Sequence, residues 1–103
     1  MPDLFDMTMN NDQNYVVVNL IQALLGSVTA NWRAVFLRSD NRSVSVTFVL
    51  ATESREDREE IEEVTFEFEA LQPNSDVSVA VLVSGAPIET FVDAGRLVFA
   101  RKE

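Results

Sequence analysis

Residues 59–70 read EEIEEVTFEFEA, and this stretch fits two different secondary structures. Val64, Phe66 and Phe68 alternate with polar residues, which is the pattern of a half-buried strand. Ile61, Val64 and Phe68 also recur at three- and four-residue spacing, which is the pattern of an amphipathic helix. The choice between the two decides which way Phe66 points and what role the surrounding glutamates have.

The residues on either side of this stretch favour the helix. Ser54 followed by Asp57 has the spacing of a capping box, with an aspartate where glutamate or glutamine is usual. Acidic residues crowd the first turns, where they complement the positive end of the helix dipole, and Pro73 provides a stop. These signals stand about 18 residues apart, which is ordinary for a helix and long for a strand. We therefore predict one helix over residues 54–71.

The phase of this helix separates a buried stripe from an exposed face. The predicted buried residues are Ile61, Val64, Thr65, Phe68 and Leu71. With 100° between successive residues, Phe66 lies about 140° from Ile61, on the opposite side. An aromatic side chain in a ring of acids is a plausible anchor for a basic partner, and the predicted partner-binding residues are Glu56, Glu59, Glu62, Glu63, Phe66 and Glu67. The alternative is that Phe66 covers a neighbouring loop or the N-terminal residues, or is simply exposed, as single apolar side chains often are.

The chain before this helix predicts a helix and a hairpin. Residues 12–25 have helical periodicity, and the predicted stripe is Val17, Leu20, Ile21, Leu24 and Val28. Residues 32–38 and 43–51 read as two strands joined at Asp40-Asn41, and the first is apolar enough to be covered on both sides. Three arginines near this hairpin are expected to pair with the acidic helix or to face solvent: Arg33, Arg38 and Arg42.

The chain after the acidic helix predicts two more strands. Residues 76–85, DVSVAVLVSG, are apolar on both faces, which favours a central position in the sheet. Residues 86–95 read as a loop with at most one helical turn, and residues 96–103 as a short fourth strand. The predicted fold is α+β, an antiparallel-rich sheet of about four strands with two helices in the order αββαββ. Residues 1–11 are predicted to be a flexible N-terminal arm, and residues 12–103 a single α+β domain.

Composition excludes most catalytic chemistry. The 103 residues contain neither cysteine nor histidine, so a Ser-His-Asp arrangement, a cysteine nucleophile and a zinc–thiolate site are impossible. Paired carboxylates or a carboxylate-bound metal remain open in principle. However, no second helix offers acids facing Glu59 and Glu63, and calcium-loop, P-loop and dinucleotide motifs are absent. We predict a protein that is not an enzyme, with no cofactor and no metal.

Charge is the most informative property of the composition. The net charge is −9, and residues 53–69 hold nine acidic against two basic residues, a net of −7. Such a field repels nucleic acid and attracts basic surfaces, so we expect no direct nucleic-acid partner. Neither a signal peptide nor an apolar run long enough to span a membrane is seen, so we expect no membrane association and a soluble cytoplasmic protein. The alternative explanation of the charge is a solvated helix face that aids solubility.

Three stretches carry a resemblance to a known family: ALLGSVTANWRAV (residues 23–35), TESREDREEIEEVTFEFEA (residues 52–70) and AGRLVFARKE (residues 94–103). They resemble small bacterial immunity proteins, the cognate inhibitors in contact-dependent growth inhibition and related polymorphic toxin systems. The shared pattern is a helix ending in LLG, an N-x-R-A-V strand, an acidic helix and a closing strand that ends near RKE. This sequence departs from it at Trp32, where the family has an aliphatic residue, and over residues 72–94.

The resemblance implies a non-catalytic inhibitor that binds the C-terminal domain of a toxin, often a nuclease, made by the same cell. The charge agrees independently, because nuclease toxins bind nucleic acid through basic surfaces that an acidic protein can occupy. Two other functions stay open: a structural dimerisation or adaptor module, which includes a homo-oligomer, and a small carboxylate- or metal-dependent enzyme. The resemblance assigns no contact residues, so the predicted site depends on the helix alone.

Overall fold

The computed structural model describes the backbone of residues 4–103 and the side chains of residues 14–103. The fold is α+β with four strands in the predicted order αββαββ, and a 3-10 helix is added before the last strand. The elements are α1 (Leu4–Leu24), β1 (Trp32–Asp40), β2 (Ser43–Leu50), α2 (Arg55–Leu71), β3 (Asp76–Val83), the 3-10 helix (Ile88–Ala94) and β4 (Arg96–Ala100).

The four strands form one mixed sheet with the order β3-β2-β1-β4. β1 is antiparallel to both β2 and β4, whereas β2 and β3 are parallel. The prediction of an antiparallel-rich sheet is therefore right for two of the three pairs and wrong for the third. α2 is the reason, because a helical crossover carries the chain back along the sheet, so that the next strand runs parallel to the previous one. The central position predicted for β3 is also wrong, since β3 lies at an edge.

The β1–β2 hairpin follows the prediction. The chain turns at Asn41, whose φ of 58° is a conformation that asparagine tolerates well, and Asp40 pairs with Ser43. Trp32–Leu37 are buried throughout, as expected for a strand covered on both sides. One face packs under α1 and α2, where the Trp32 and Phe48 rings meet edge to face at 5.5 Å. The opposite face holds a smaller cluster around Phe36, which the 3-10 helix covers.

α1 differs from its prediction in start and in phase. It begins at Leu4, earlier than the expected start at residue 12. Its buried side chains are Val16, Leu20, Ala23 and Leu24, whereas Ile21, predicted to be buried, is 44% exposed. Because residues 16–18 are all valine, the sequence does not show which of them faces the core. In the structure Val16 is the buried one. The flexible arm predicted for residues 1–11 stays a prediction, since residues 1–3 and the side chains up to residue 13 lie outside the described part.

Among the described side chains, none of the three hairpin arginines forms an ion pair with the acidic helix. Arg38 and Arg42 are exposed, which agrees with the second predicted environment, whereas both predictions are wrong for Arg33. Arg33 is buried on β1 and binds Glu103 through two hydrogen bonds of 2.8 Å, Nε to Oε2 and Nη2 to Oε1. Its Nη1 donates to the carbonyls of Ser84 and Ala86. Arg38 donates to the carbonyl of Asp93. Arg33 lies in a bulge of the β1–β2 pairing, between Trp32 and Ala34. Its partner, Glu103, is 70 residues away in the sequence, so local sequence patterns do not predict this pair.

Candidate protein-binding surface

α2 is one helix, and its first turn is fixed by a cap and a buried carboxylate. The Ser54 Oγ accepts a hydrogen bond from the Asp57 backbone N–H at 3.2 Å, which confirms the predicted cap. The Asp57 side chain does not complete a capping box. Instead it accepts hydrogen bonds from Thr29 Oγ1 at 3.0 Å and Asn31 Nδ2 at 2.8 Å. The start of α2 is therefore attached to the segment that leads into β1.

The environment of Asp57 keeps its carboxylate ionised. Burial of this side chain, which is 5% exposed, raises its pKa, but hydrogen bonding, above all from Asn31 and Thr29, lowers the pKa by more. The net result is a pKa below the ordinary value of an aspartate. Asp57 thus acts in the framework of the fold, and the buried charge has partners.

The buried residues of α2 and the contact at its C-terminal end determine which face of the helix points toward solvent. Ile61, Val64 and Phe68 are buried against the sheet, as predicted, whereas Leu71 is 37% exposed. At that end Asn19 of α1 donates to the Leu71 carbonyl at 3.2 Å. With both ends attached and one stripe buried, the face that carries Phe66 must point outward.

Phe66 lies on the outer face of α2 with 75% of its surface exposed. Four glutamates surround it, and together they line one open depression, which we call the acidic depression: Glu59, Glu62, Glu63, Phe66 and Glu67. The structure thus brings five of the six predicted site residues together. Glu56, the sixth, lies outside the acidic depression at the start of the helix, beside the Ser54 hydroxyl.

Most of the negative charge of the acidic depression is not neutralised within the molecule. Glu59 contacts Arg55 one turn earlier, at 3.3 Å between Nε and Oε1, and both side chains are well exposed. Arg58 turns back to Glu53 and lowers the pKa of that carboxyl by hydrogen bonding. Over residues 14–103, no arginine or lysine lies within ion-pair distance of the remaining carboxylates of the depression, which belong to Glu62, Glu63 and Glu67. These three charges are available to a partner.

A second concave surface adjoins the acidic depression, and the sequence did not reveal it. It lies between α2 and β3 and has a mostly apolar floor; we call it the α2–β3 groove. Its residues are Arg58, Ile61, Glu62, Thr65, Phe66, Glu69, Val79 and Val81. Phe66 and Glu62 belong to both surfaces. The groove was missed because it depends on β3 lying at the sheet edge beside α2, which is a long-range feature.

The chemistry of this region suits recognition. Within the described residues, no group of three or more His, Cys, Asp or Glu side chains is arranged to hold a metal ion. None of the helices described is both long and apolar enough to cross a bilayer. An exposed aromatic ring, free carboxylates and an apolar groove form a surface that complements cationic and apolar groups of another protein.

A protein-family model matches most of the chain. The family model described as MafI2 immunity protein matches residues 13–103. A search of the curated proteins finds no match. The matched region includes all of β1 to β4, α2 and the side chains of both concave surfaces.

Proposed function

Because the chain belongs to the MafI2 immunity protein family, we propose that it binds and neutralises a cognate toxin domain and that the acidic depression makes the contact. The observation that carries this assignment is Phe66, 75% exposed and bordered by carboxylates of which three have no cationic partner among the described side chains. The proposed target is a basic, nuclease-type C-terminal toxin domain. Inhibition occurs by occupation of its surface in the cytoplasm of the producing cell, without catalysis.

The physical argument combines charge and apolar burial. The α2 segment concentrates a net charge of −7 within residues 53–69, which raises the encounter rate with a basic surface and orients the approach. After contact, burial of the Phe66 ring contributes about 1.5–3 kcal/mol. The free carboxylates form ion pairs with the partner and lose no internal ion pair on binding.

The first test is co-expression with the toxin domain encoded beside this protein. We expect the protein to protect cells from that domain and to co-purify with it as a stable complex. A toxin domain that kills the cells equally with and without this protein, and does not co-purify with it, contradicts the proposal.

A charge-matched pair of variants tests the assignment to the acidic depression. Glu62→Lys with Glu63→Lys reverses two carboxylates of the depression. Glu89→Lys with Asp93→Lys makes the same change in net charge on the exposed 3-10 helix, which covers the opposite face of the sheet. We expect the first variant to weaken toxin binding by at least about a hundredfold, as close charge pairs at interfaces do, and the second by much less. Equal losses would show that only net charge matters.

A further inference from the structure

The outer edge of β3 is exposed and lacks the features that usually prevent an edge strand from pairing. β3 hydrogen bonds to β2 alone, and no segment within residues 4–103 pairs with its other side. It is eight residues long, its register with β2 has no bulge, and it contains neither proline nor a basic residue. Proteins normally protect such edges with lysine, proline, bulges or a covering element.

The hydrogen-bond pattern identifies which residues of β3 face outward. The Asp76 N–H donates to Arg42 and the Ser84 N–H to Leu50, so the even-numbered residues bond to β2. In a strand, alternate residues direct their N–H and C=O groups to opposite sides. The outward groups therefore belong to the odd-numbered residues, all of which are valine: Val77, Val79, Val81 and Val83.

The side chains of these valines lie on the same face of the sheet as α2. Their partners on β2 across the parallel ladder include Val46 and Phe48, which belong to the core beneath the helices. Val79 and Val83 nevertheless remain 38% and 42% exposed. Val79 and Val81 form the strand side of the α2–β3 groove, with Phe66 on the helix side. Free backbone groups and an apolar groove therefore run along the same edge.

We propose that this edge accepts an extended segment of the toxin domain, which adds to the sheet as a fifth strand beside β3. This inference rests on the proposed function and specifies how the partner binds. Backbone hydrogen bonds supply affinity, and alternate side chains of the added strand supply specificity. Those on the α2 face lie in the α2–β3 groove beside Phe66 and approach Glu62 and Glu69. Arg58, the one cation of the groove, is paired with Glu53, so the segment carries apolar and basic residues.

Charge distinguishes this occupant from a second copy of the same chain. A symmetric β3–β3 pairing would place two α2 helices side by side on one face of a continuous sheet. Each α2 segment carries a net charge of −7 over residues 53–69, so that arrangement is repulsive. A basic segment meets the same charges favourably. β4, the other edge, is shorter and has a bulge in its pairing with β1. It begins with Arg96 and is followed by Arg101 and Lys102, so it is the less suitable edge.

A matched pair of variants at one position separates the backbone from the side chain. Val79→Pro removes an outward N–H but leaves the β2–β3 hydrogen bonds intact, and proline is tolerated at such edge positions. Val79→Thr keeps both the N–H and the β-branched shape. We expect Val79→Pro to weaken binding of the purified toxin domain by about tenfold or more, because a backbone group of the added strand is left unpaired, and Val79→Thr to weaken it by much less. Equal affinity of both variants and the wild type overturns the inference.

Hydrogen exchange on the wild-type protein provides a test that needs no variant. In the free protein we expect the amide of Val79 to exchange faster than those of Ser78 and Ala80, which are bonded to β2. In the complex with the toxin domain, the amides of Val79 and Val81 should become protected by at least about tenfold.

A complex that forms without this protection overturns edge addition and leaves the proposed function intact. If no complex forms, both fail. A wild-type homodimer with the same protected amides, detected by light scattering, also overturns the inference, because a second copy would then be the occupant.

Discussion

Phe66 and Phe68 stand two positions apart and have opposite environments. Phe68 is 1% exposed, whereas Phe66 is 75% exposed. Phe68→Ala would therefore cost about 3–5 kcal/mol of unfolding free energy through lost burial and a cavity. An aromatic ring left in water contributes little to folding. Under the proposed function, the toxin domain covers the Phe66 ring.

Phe66→Ala is accordingly expected to separate binding from stability. The free energy of unfolding should change by less than about 0.5 kcal/mol, as at other exposed positions. Affinity for the toxin domain should fall by about 2 kcal/mol or more, as at an aromatic hot spot. Fluorescence of Trp32, the single buried tryptophan, monitors unfolding. Val92→Ala is the control, since Val92 is 67% exposed on the 3-10 helix and should affect neither property. Undiminished affinity of Phe66→Ala would contradict its role as an anchor.

The Arg33–Glu103 pair predicts an acid-sensitive contribution to stability. Hydrogen bonds from Arg33, aided by Arg101, lower the pKa of Glu103 from 4.5 to about 2. As the pH falls, the unfolded chain therefore binds this proton before the folded protein does. The stabilisation is complete above about pH 4.5 and is lost as the pH approaches 2.

Urea unfolding measured by Trp32 fluorescence between neutral pH and pH 2 checks this contribution. Glu103→Gln should be less stable than the wild type near neutral pH, and the difference should shrink toward pH 2. Glu89→Gln removes one exposed carboxylate on the 3-10 helix, away from this pair, and should leave the pH dependence close to that of the wild type. A stability difference between the wild type and Glu103→Gln that stays the same from neutral pH to pH 2 would show that ionisation of Glu103 does not contribute to folding.

Among the helices and strands, the sequence predicted correctly the features of α2 that depend on residues close together in the chain. The cap at Ser54 and the spacing of Ile61, Val64 and Phe68 set the start and phase of α2, so the outward direction of Phe66 followed from sequence. Long-range packing determined the rest. An apolar sequence does not distinguish a central strand from an edge strand, so the central position predicted for β3 was wrong. The α2–β3 groove and the Arg33–Glu103 pair depend on contacts that no sequence pattern signals.

The junction between the 3-10 helix and β4 requires a glycine at position 95. It joins the 3-10 helix to β4 with φ +124°, ψ −153°, a conformation almost restricted to glycine, and a Cβ there would collide with the Leu37 backbone carbonyl on β1. Gly95→Ala should lower the unfolding free energy by about 3 kcal/mol or more, from strain and collision together. Gly26→Ala is the control. Gly26 has φ +81° but open space around its Cβ position, so about 1 kcal/mol is expected. Equal losses of unfolding free energy in the two variants would mean that the β1 backbone at Leu37 shifts to make room for the added Cβ.

Across the whole molecule, the polar contacts that hold the fold together and the residues of the candidate surfaces are largely different. Asn31 binds Asp57 and the Thr52 backbone, Arg33 binds Glu103, and Ser54 caps α2. These contacts join the helices, the sheet and the segment after β4 into one framework. The acidic depression and the β3 edge lie outside that framework. Under the proposed function, substitutions of the exposed residues on these surfaces change toxin affinity at little cost in stability.

The charge of the whole molecule predicts how fast the complex forms and how salt affects it. Because residues 53–69 carry a net charge of −7 out of the −9 of the whole chain, association with a basic toxin domain should be electrostatically steered. Raising the ionic strength from about 0.01 to 0.15 M shortens the Debye length from about 30 to 8 Å. The association rate constant should then fall by about tenfold or more, and the dissociation rate should change less.

Stopped-flow mixing at several salt concentrations, with Trp32 or an attached dye as reporter, measures this dependence. The slope of the association rate against ionic strength should flatten strongly in Glu62→Lys with Glu63→Lys. It should flatten less in Glu89→Lys with Asp93→Lys, since those charges lie across the sheet from α2. A wild-type rate that does not respond to salt would mean that the acids of α2 maintain solubility. Binding would then depend on Phe66 and the β3 edge, which screening by salt leaves unaffected.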